Sequence, residues 1–578
     1  MSYDFMLQQA ISLHEQGNLD GAEKLYRQLL KAMPEQPDIL NLLGLIAQAK
    51  GIDNEAVNLF YEAIKKAPDR APFYFNLALS LKAWGKYYEA IDNFEKALVL
   101  QPDIKEAYVQ IGQIYQNLNK IEKSREYFNK AINLDGDYIE AKARLASTFD
   151  DDTALPLLLK NSNDALSLYF AALIYMRKND IENAKKLSVS ANALAPHADE
   201  IKVLLAQLFV LDNDYAEAEN WFKKALLLNE YNEAAIVGLA NLYVQLNNYV
   251  EAEILYKKLL EINPNNLDAH INYAALMHKQ KRLSEALEEY RKAVIINPNV
   301  PEISYNLALV LKDVGEFEEA LGLLFNALTK LPEMKEISLT IGEVITSIYR
   351  NDDKVKAKEI AQNWSNSYPD NLFAKHILAA VRGEKVENNK VYTESLFELF
   401  ADDYELVMSN LDYTVPLVMG RVLGNVKNTI VDLGCGSGLV GQIIKSSENY
   451  LIGVDISKNM LNKAKDKNVY DELIHMDIEE YLQSGPDAEV FVAADVFNYI
   501  GDLKKIFSLI DGRKIIFSIE ENNNVAEFAL SESGRFVHNP KYIRRLLKSY
   551  NFENVNEYPV VLRYENANAV NGIIFETK

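Results

Sequence analysis

A single cysteine in 578 residues, Cys435, excludes an intramolecular disulfide framework. Histidine is scarce as well, seven residues scattered along the chain, so no metal site is expected. Positive charge is in deficit: 61 Lys and Arg face 83 Asp and Glu, a net charge of −22. Nucleic-acid backbones and anionic membranes both demand clustered positive charge, so neither is an expected partner. No apolar run approaches the roughly 18 residues of a membrane span. Met1-Ser2-Tyr3-Asp4 opens no basic-then-apolar leader. The expected setting is a soluble, reducing compartment, the cytoplasm. Only 16 prolines interrupt a chain that is 49% hydrophobic and 25% charged, which leaves ample material for packed cores and little for long disorder.

What the chain has in abundance is a repeat. Ala22, Ala56 and Ala90 stand 34 residues apart, as do Ala184, Ala218, Ala252, Ala286 and Ala320. A second small position keeps the step through Ala63, Ala97 and Ala131, then Ala191, Ala225, Ala293 and Ala327. Proline recurs at Pro34, Pro68 and Pro102 and again at Pro264, Pro298 and Pro332, and an aromatic at Tyr26, Phe60, Phe94, Phe128, Phe222, Tyr256 and Tyr290. Each unit reads as two amphipathic helices that approach closely at the small residues, with the aromatic filling the space beside them and proline ending the second helix. These offsets resemble the tetratricopeptide repeat family, over about eleven units from Tyr3 to Pro369. One stretch departs: from Ser124 to Ala184 the step is 60 rather than 68, and Phe149 to Asn163, with the acidic run Asp150-Asp151-Asp152, fits no unit.

The resemblance implies an all-α solenoid with a concave face that takes a protein or extended peptide. Asn76, Asn272 and Asn306 share one place on the first helix of their units, where an amide can bond a ligand's backbone or simply be solvated. Phe373 to Arg382 reads as a capping helix, so the repeat part is expected to run over residues 1–383. Residues 384–390 break every period and read as a linker.

From 391 to 578 short β-rich runs alternate with helical stretches, the pattern of a parallel sheet covered on both sides. Thr429–Leu433, Tyr450–Asp455, Ala488–Ala493 and Lys514–Ile519 are the expected buried strands. After the first comes Asp432-Leu433-Gly434-Cys435-Gly436-Ser437-Gly438, then a helix over Leu439–Ser446. Glycines there let the backbone turn tightly and approach a ligand. Gly436, Gly438 and Gly441 also satisfy the dinucleotide pattern G-x-G-x-x-G, so the acids must arbitrate. Asp455 ends the second strand, where a carboxylate accepts from both ribose hydroxyls. Asp432 precedes the glycines, where it would repel a pyrophosphate and attract a cationic sulfonium. Asp477, in the third strand region His475-Met476-Asp477-Ile478, stands where an adenine amino group is held.

D-L-G-C-G-S-G, G-V-D-I-S and M-D-I-E at these spacings resemble class I S-adenosylmethionine-dependent methyltransferases, a Rossmann-like α/β fold. The flanks, Tyr392, Leu396 to Tyr404, Leu411-Asp412-Tyr413, Ser533 to His538 and Leu562-Arg563-Tyr564-Glu565, are similar to members of that family that carry tetratricopeptide repeats. Phe536 departs where Tyr is expected, and Asn539 where Ser is expected. The resemblance implies a seven-stranded sheet whose last strand, Gly572–Glu576, is antiparallel. It implies the donor S-adenosyl-L-methionine, held by Asp432, Gly434, Cys435, Gly436, Gly438, Asp455, Ile456, Met460, Asp477, Ile478 and Asp495. It names no acceptor.

Because the sulfonium activates the methyl group, the protein's task is in-line alignment of the acceptor and exclusion of water. Asp495, Asn498 and Tyr499 are expected on the acceptor side, with Glu520 and Glu521. Tyr499 reads as a residue that steers or deprotonates the acceptor, or as packing; His538 as a base or as an anchor of the cap. Cys435 reads as a small filler. Tyr392 and Tyr404 read as a lid over the donor or as a hydrophobic staple. The acids Asp495, Asp502, Glu520 and Glu521 would suit a basic acceptor such as lysine. The expected function is methyl transfer to a protein recruited by the repeats. The alternatives are a repeat scaffold with an inactive or ligand-sensing methyltransferase-like domain, and a small-molecule methyltransferase. The sequence leaves the oligomeric state open.

Overall fold

A computed structural model describes residues 3–384, 390–565 and 568–577. The chain clusters into two compact units, Met1–Gln280 and Lys281–Lys578. The expected linker at 384–390 falls mostly on 385–389, outside the described residues.

The first unit is built from helix pairs, from Tyr3–Glu15 to Leu267–Lys279, most of them 13 residues followed by 14. The periodic alanines explain the pairing, since Ala22, Ala56, Ala90, Ala218 and Ala252 are fully buried. A ring on the second helix is received by the smallest residue on the first. A Cβ on Gly44 would lie 2.6 Å from Phe60, and one on Gly112 would lie 2.5 Å from Phe128. A further register emerges in the turn within each pair except the short one at Ile139–Ala146 and Asp151–Leu159, and it requires positive φ. It is filled by Gly17, Gly51 and Gly85, then by Asn119, Asn179, Asn213 and Asn247 at φ between +55° and +76°, the residues that tolerate this conformation best. Where the step falls to 60, the helices Ile139–Ala146 and Asp151–Leu159 have only 8 and 9 residues. The acidic run is structural there. Asp150 accepts from the Thr153 backbone N at 3.0 Å to cap the second helix, and Asp151 and Asp152 pair with Arg177 and Lys178. Asn76 donates to Asn41 at 3.0 Å, an amide ladder between first helices.

The second unit opens with six more repeat helices, Leu283–Ile296 to Leu372–Arg382. The last is the expected cap: Asn371 accepts from the Ala374 backbone N at 2.9 Å to start it, and Gly383, at φ +67°, ends it. The remainder folds around a seven-stranded sheet. Its strands are β1 (Thr429–Leu433), β2 (Tyr450–Asp455), β3 (Glu472–His475), β4 (Val490–Ala493), β5 (Lys514–Glu520), β8 (Asn556–Glu565) and β9 (Asn568–Glu576), while β6 (Phe528–Leu530) and β7 (Phe536–His538) form a separate hairpin. The order is β3-β2-β1-β4-β5-β9-β8. β1 to β5 run parallel, and β9 is antiparallel to both β5 and β8.

Alternation along the strands feeds two cores. Val431, Phe491, Phe517 and Phe575 pack on one face with Phe497 and Phe507. Ile430, Leu451, Val492, Ile516 and Ile574 pack on the other against Val415 and Met419. The third strand ends at His475, before Asp477, because Asp477 caps the helix Ile478–Gln483. The strand expected from Ala488 begins at Val490.

Candidate active site

The sheet order reverses at β1, between β2 and β4, and a crevice forms at the carboxyl ends of such strands. A cavity with about 1250 Å³ of empty space, mouth included, lies there. Its floor is the glycine turn after β1. Gly434, Gly436 and Gly438 all have positive φ, at +67°, +54° and +90°. At Gly434 a side chain would also strike Val496, 2.6 Å from its Cβ position. The turn is locked by the Gly434 and Cys435 backbone N groups, which donate to the Val454 carbonyl at 2.7 and 3.0 Å.

Asp455 holds the turn from the next strand. Its Oδ2 accepts from the Gly436 N at 2.8 Å and its Oδ1 from the Ser457 N at 2.8 Å. Burial pushes its pKa up, and those bonds pull it back. Each oxygen keeps acceptor capacity toward the cavity. Asp477 caps its helix through the Glu479 N at 3.0 Å and is paired with Lys390. Burial opposes the Lys390 charge, and the carboxylates of Asp477, Glu479 and Glu480 outweigh it.

Beyond β4, Asp495 adopts φ +54°. Its N donates to Ser518 Oγ at 2.7 Å, and that hydroxyl donates back to Oδ1 at 2.8 Å. Arg563, 3% exposed, reaches Asp495 at 3.4 Å, Glu520 at 2.8 Å and Glu565 at 2.8 Å. Arg535 pairs with Glu565, and Arg350 reaches Glu565 at 3.3 Å. Burial raises Asp495, and Arg563 draws it down. For Glu565 burial is outweighed by Arg535 and Arg563, which hold its carboxyl low. Three of the four acids that would have suited a lysine acceptor, Asp495, Asp502 and Glu520, are thus engaged within the protein. Asp495 and Glu520 face Arg563, and Asp502 accepts from Tyr542 at 3.3 Å and pairs with Lys504.

Of the residues expected to hold a donor, Gly434, Gly436, Asp455, Ile456, Asp477, Ile478 and Asp495 line the cavity, and so does Tyr499 from the catalytic pair. Asp432, Cys435, Gly438, Met460 and His538 are not on its wall. Asp432 is buried behind the turn, with Oδ2 accepting from the Tyr470 hydroxyl at 2.7 Å and Oδ1 unpartnered among the described residues. Burial pushes its pKa up to about 7. Cys435 packs against Gly453, and burial pushes its thiol well up. Gly438 starts the helix Leu439–Ile444, and Met460 is fully buried in Lys458–Asp466. His538 is a correction: it is fully buried, its Nε2 lies 3.0 Å from the Gly501 carbonyl, and burial lowers its pKa to about 4. A base must reach the acceptor, and His538 anchors the hairpin instead.

The two tyrosines of the expected lid separate. Tyr392 is a staple, stacked on His376 with ring centroids 3.7 Å apart. Tyr404 lines the cavity and lies over the glycine turn, 4.0 Å from the Cβ position of Gly436. Sequence reasoning missed Tyr470, Lys390, Ser518 and the arginine pair. Arg535 and Arg563 lie in segments that carry the family resemblance, which was the available signal. Tyr470 had none, because its partners are glycines and a buried acid distant in sequence.

Comparisons with known proteins match both the repeat part and the sheet part of the chain. Tetratricopeptide repeat models match residues 7–71, 71–104, 105–138, 209–259 and 248–309, and a methyltransferase domain model matches 430–511. A malonyl-[acyl-carrier protein] O-methyltransferase of Hamiltonella defensa is 26% identical over 175 residues, 29% of this chain and 66% of the relative. A probable 18S rRNA (guanine-N(7))-methyltransferase of Dictyostelium discoideum is 43% identical over 68 residues, 11% of this chain and 24% of the relative. Its counterpart from Mus musculus is 41% identical over 57 residues, 10% of this chain and 20% of the relative. The chain therefore spans less than two thirds of each of these relatives. Solved repeat structures, the APC/C hetero-tetramer Cut9-Hcn1 and yeast Tom70, cover 66% of the chain at 11% and 16% identity, spanning 96% and 95% of their own chains. Both superpose at a TM-score of 0.31, too loosely to carry an argument.

Proposed function

Because this chain joins tetratricopeptide repeats to a class I methyltransferase domain, we propose that it transfers a methyl group from S-adenosyl-L-methionine to a protein recruited by the concave face of its repeats, in the cytoplasm. In this reading residues 1–383 recruit and residues 391–578 transfer. The observation that carries the donor assignment is the Asp455 bridge, one carboxylate clamping the glycine turn while facing the cavity beside it.

The residues present fit that donor. Gly436 leaves space that a side chain would fill beneath Tyr404, Asp455 accepts from ribose hydroxyls, and Asp477 with Ile478 borders the place for an adenine. Once bound, the donor supplies a methyl group already activated by its positive sulfur. Asp495 and Tyr499 face the acceptor side and orient the nucleophile, and Tyr499 is the one of the two expected catalytic residues that lines the cavity. The aromatic and aliphatic wall of Phe397, Phe400 and Met408 excludes water.

The matched relatives are named for different acceptors, a malonyl group on a carrier protein and a guanine of 18S rRNA, so the acceptor is argued from this chain alone. A net charge of −22 opposes an RNA acceptor. The repeats favour a protein.

Two measurements test the reading. Calorimetry should show donor binding by the full chain and its loss in Asp455→Asn, which removes one charge at constant shape; unchanged affinity refutes the site. Cell extract incubated with the full chain and methyl-labelled donor should carry label in protein. Label confined to small molecules refutes the recruited protein acceptor.

A further inference from the structure

The cavity wall opposite the glycine turn is aromatic. Tyr404 begins the helix Tyr404–Asn410, and its ring edge lies 4.0 Å from the Cβ position of Gly436. Phe400 meets it edge to face at 5.9 Å and 87°, Phe397 at 6.4 Å and 68°, and Tyr499 closes on Phe397 at 4.9 Å and 72°. All four rings line the cavity. The helix Lys390–Phe400 that carries two of them is pinned to the segment after β2, where Glu398 accepts from Ser457 Oγ at 2.9 Å and from the Asn459 N at 3.1 Å. The box therefore stands at a fixed height above the turn.

The cationic residues on the cavity wall, Lys390, Arg535 and Arg563, are each paired with carboxylates, which leaves the aromatic wall to meet a cation. Aromatic faces are negative, and an edge-to-face cluster turns some of those faces toward the enclosed space. Burial first, then Tyr499 and the acids Asp495, Asp455 and Asp432, push the Tyr404 hydroxyl up, so those acids lie close to that ring.

We propose that Tyr404, supported by Phe397 and Phe400, recognises the positive charge of the donor's sulfonium, so that the site weighs the charged donor against its neutral demethylated product. This rests on the assignment of S-adenosyl-L-methionine as donor and adds to it the residue that reads charge. Donor and product share adenine, ribose and amino-acid tail, so contacts to Asp455 and Asp477 cancel in their ratio of affinities. One methyl group and one charge remain.

The test is calorimetry on the full chain with three probes: S-adenosyl-L-methionine, S-adenosyl-L-homocysteine and sinefungin, whose ammonium places a charge near the sulfonium position. Tyr404→Leu is expected to lower the affinity for S-adenosyl-L-methionine about tenfold relative to S-adenosyl-L-homocysteine, a cation–π contribution of ordinary size. Sinefungin should weaken with the donor, and Tyr404→Phe, which keeps the ring, should hold the wild-type ratio. Retained binding of S-adenosyl-L-homocysteine by Tyr404→Leu shows that the site is still folded. An unchanged ratio in Tyr404→Leu, or sinefungin following the neutral product, overturns the proposal. If wild-type protein binds none of the three, the donor assignment itself falls, a different result from a shared loss confined to the variant.

Discussion

Replacing Asp432 by Asn should stabilise the ligand-free protein, by an amount that depends on pH. Asp432 is 1% exposed, one oxygen has no partner among the described residues, and the other is met only by the Tyr470 hydroxyl at 2.7 Å. Burial lifts its pKa from 3.8 to about 7. Below about pH 4 both folded and unfolded chains carry the proton, and the group contributes nothing. Between about 4 and 7 the folded carboxyl stays protonated while the unfolded one ionises, so stability falls as pH rises. Above about 7 the loss is constant. At 1.36 kcal/mol per pH unit it reaches about 4 kcal/mol. The amide oxygen of the variant would still accept from Tyr470, and the group carries no charge to desolvate. Scanning calorimetry of wild type and Asp432→Asn in parallel should show matching behaviour near pH 4 and a variant advantage that grows to about 4 kcal/mol by pH 8. A difference that is flat with pH, or that favours wild type above pH 7, refutes the reasoning.

His538 should produce the opposite limb. With a folded pKa of about 4 against 6.5, stability is lost as pH falls below 6.5, by up to about 3 kcal/mol, and His538→Gln should flatten the acid side of the melting curve. In the repeats, Gly112→Ala places a Cβ 2.5 Å from Phe128. The ring is fully buried, so overpacking of about 1–3 kcal/mol should exceed the helix-propensity gain of about 1 kcal/mol and lower the melting temperature. A chain beginning at Lys390 uncovers Tyr392, Leu530 and Phe536, each 6% exposed or less. Loss of those contacts, at about 1.5–3 kcal/mol for each side chain, should abolish donor binding in calorimetry, whereas a chain beginning at Lys281 should retain it.

The repeats were legible because packing demands the same small residue at the same place each time, and a demand renewed every 34 positions survives local noise. The left-handed turn register escaped the sequence reading, because a run of Gly followed by a run of Asn fills one backbone role with two residue types and hides from a search for identity. The glycine turn, the acids at the ends of β1 and β2 and the acid just past β3 stood out because their spacing is set by local strand and turn geometry. Tyr470, Ser518 and the arginine cluster were not legible. Their partners lie 38, 23 and up to 215 residues away, and only the folded chain brings Arg350 and the carboxyl ends of β4, β5 and β8 together. His538 looked useful because a sequence shows its chemistry but not its burial.

The period that ends near residue 383 marks the end of a packing pattern, while contacts decide which side chains shape the cavity. The helix Lys390–Phe400 has two faces. On one, Tyr392 stacks on His376 and meets Phe373, both on the last repeat helix, and Ser395 accepts from Lys335 at 3.2 Å. On the other, Thr393, Phe397 and Phe400 line the cavity. The β6–β7 hairpin repeats this arrangement. Gly534 offers its carbonyl to His376 at 2.9 Å, and Leu530 and Phe536 pack on Ala379 and Ala380. Its Arg535 enters the charge cluster that also contains Arg350 and Asp495. Moving the last repeat helices would therefore shift an aromatic wall and the partly buried Arg535 guanidinium together.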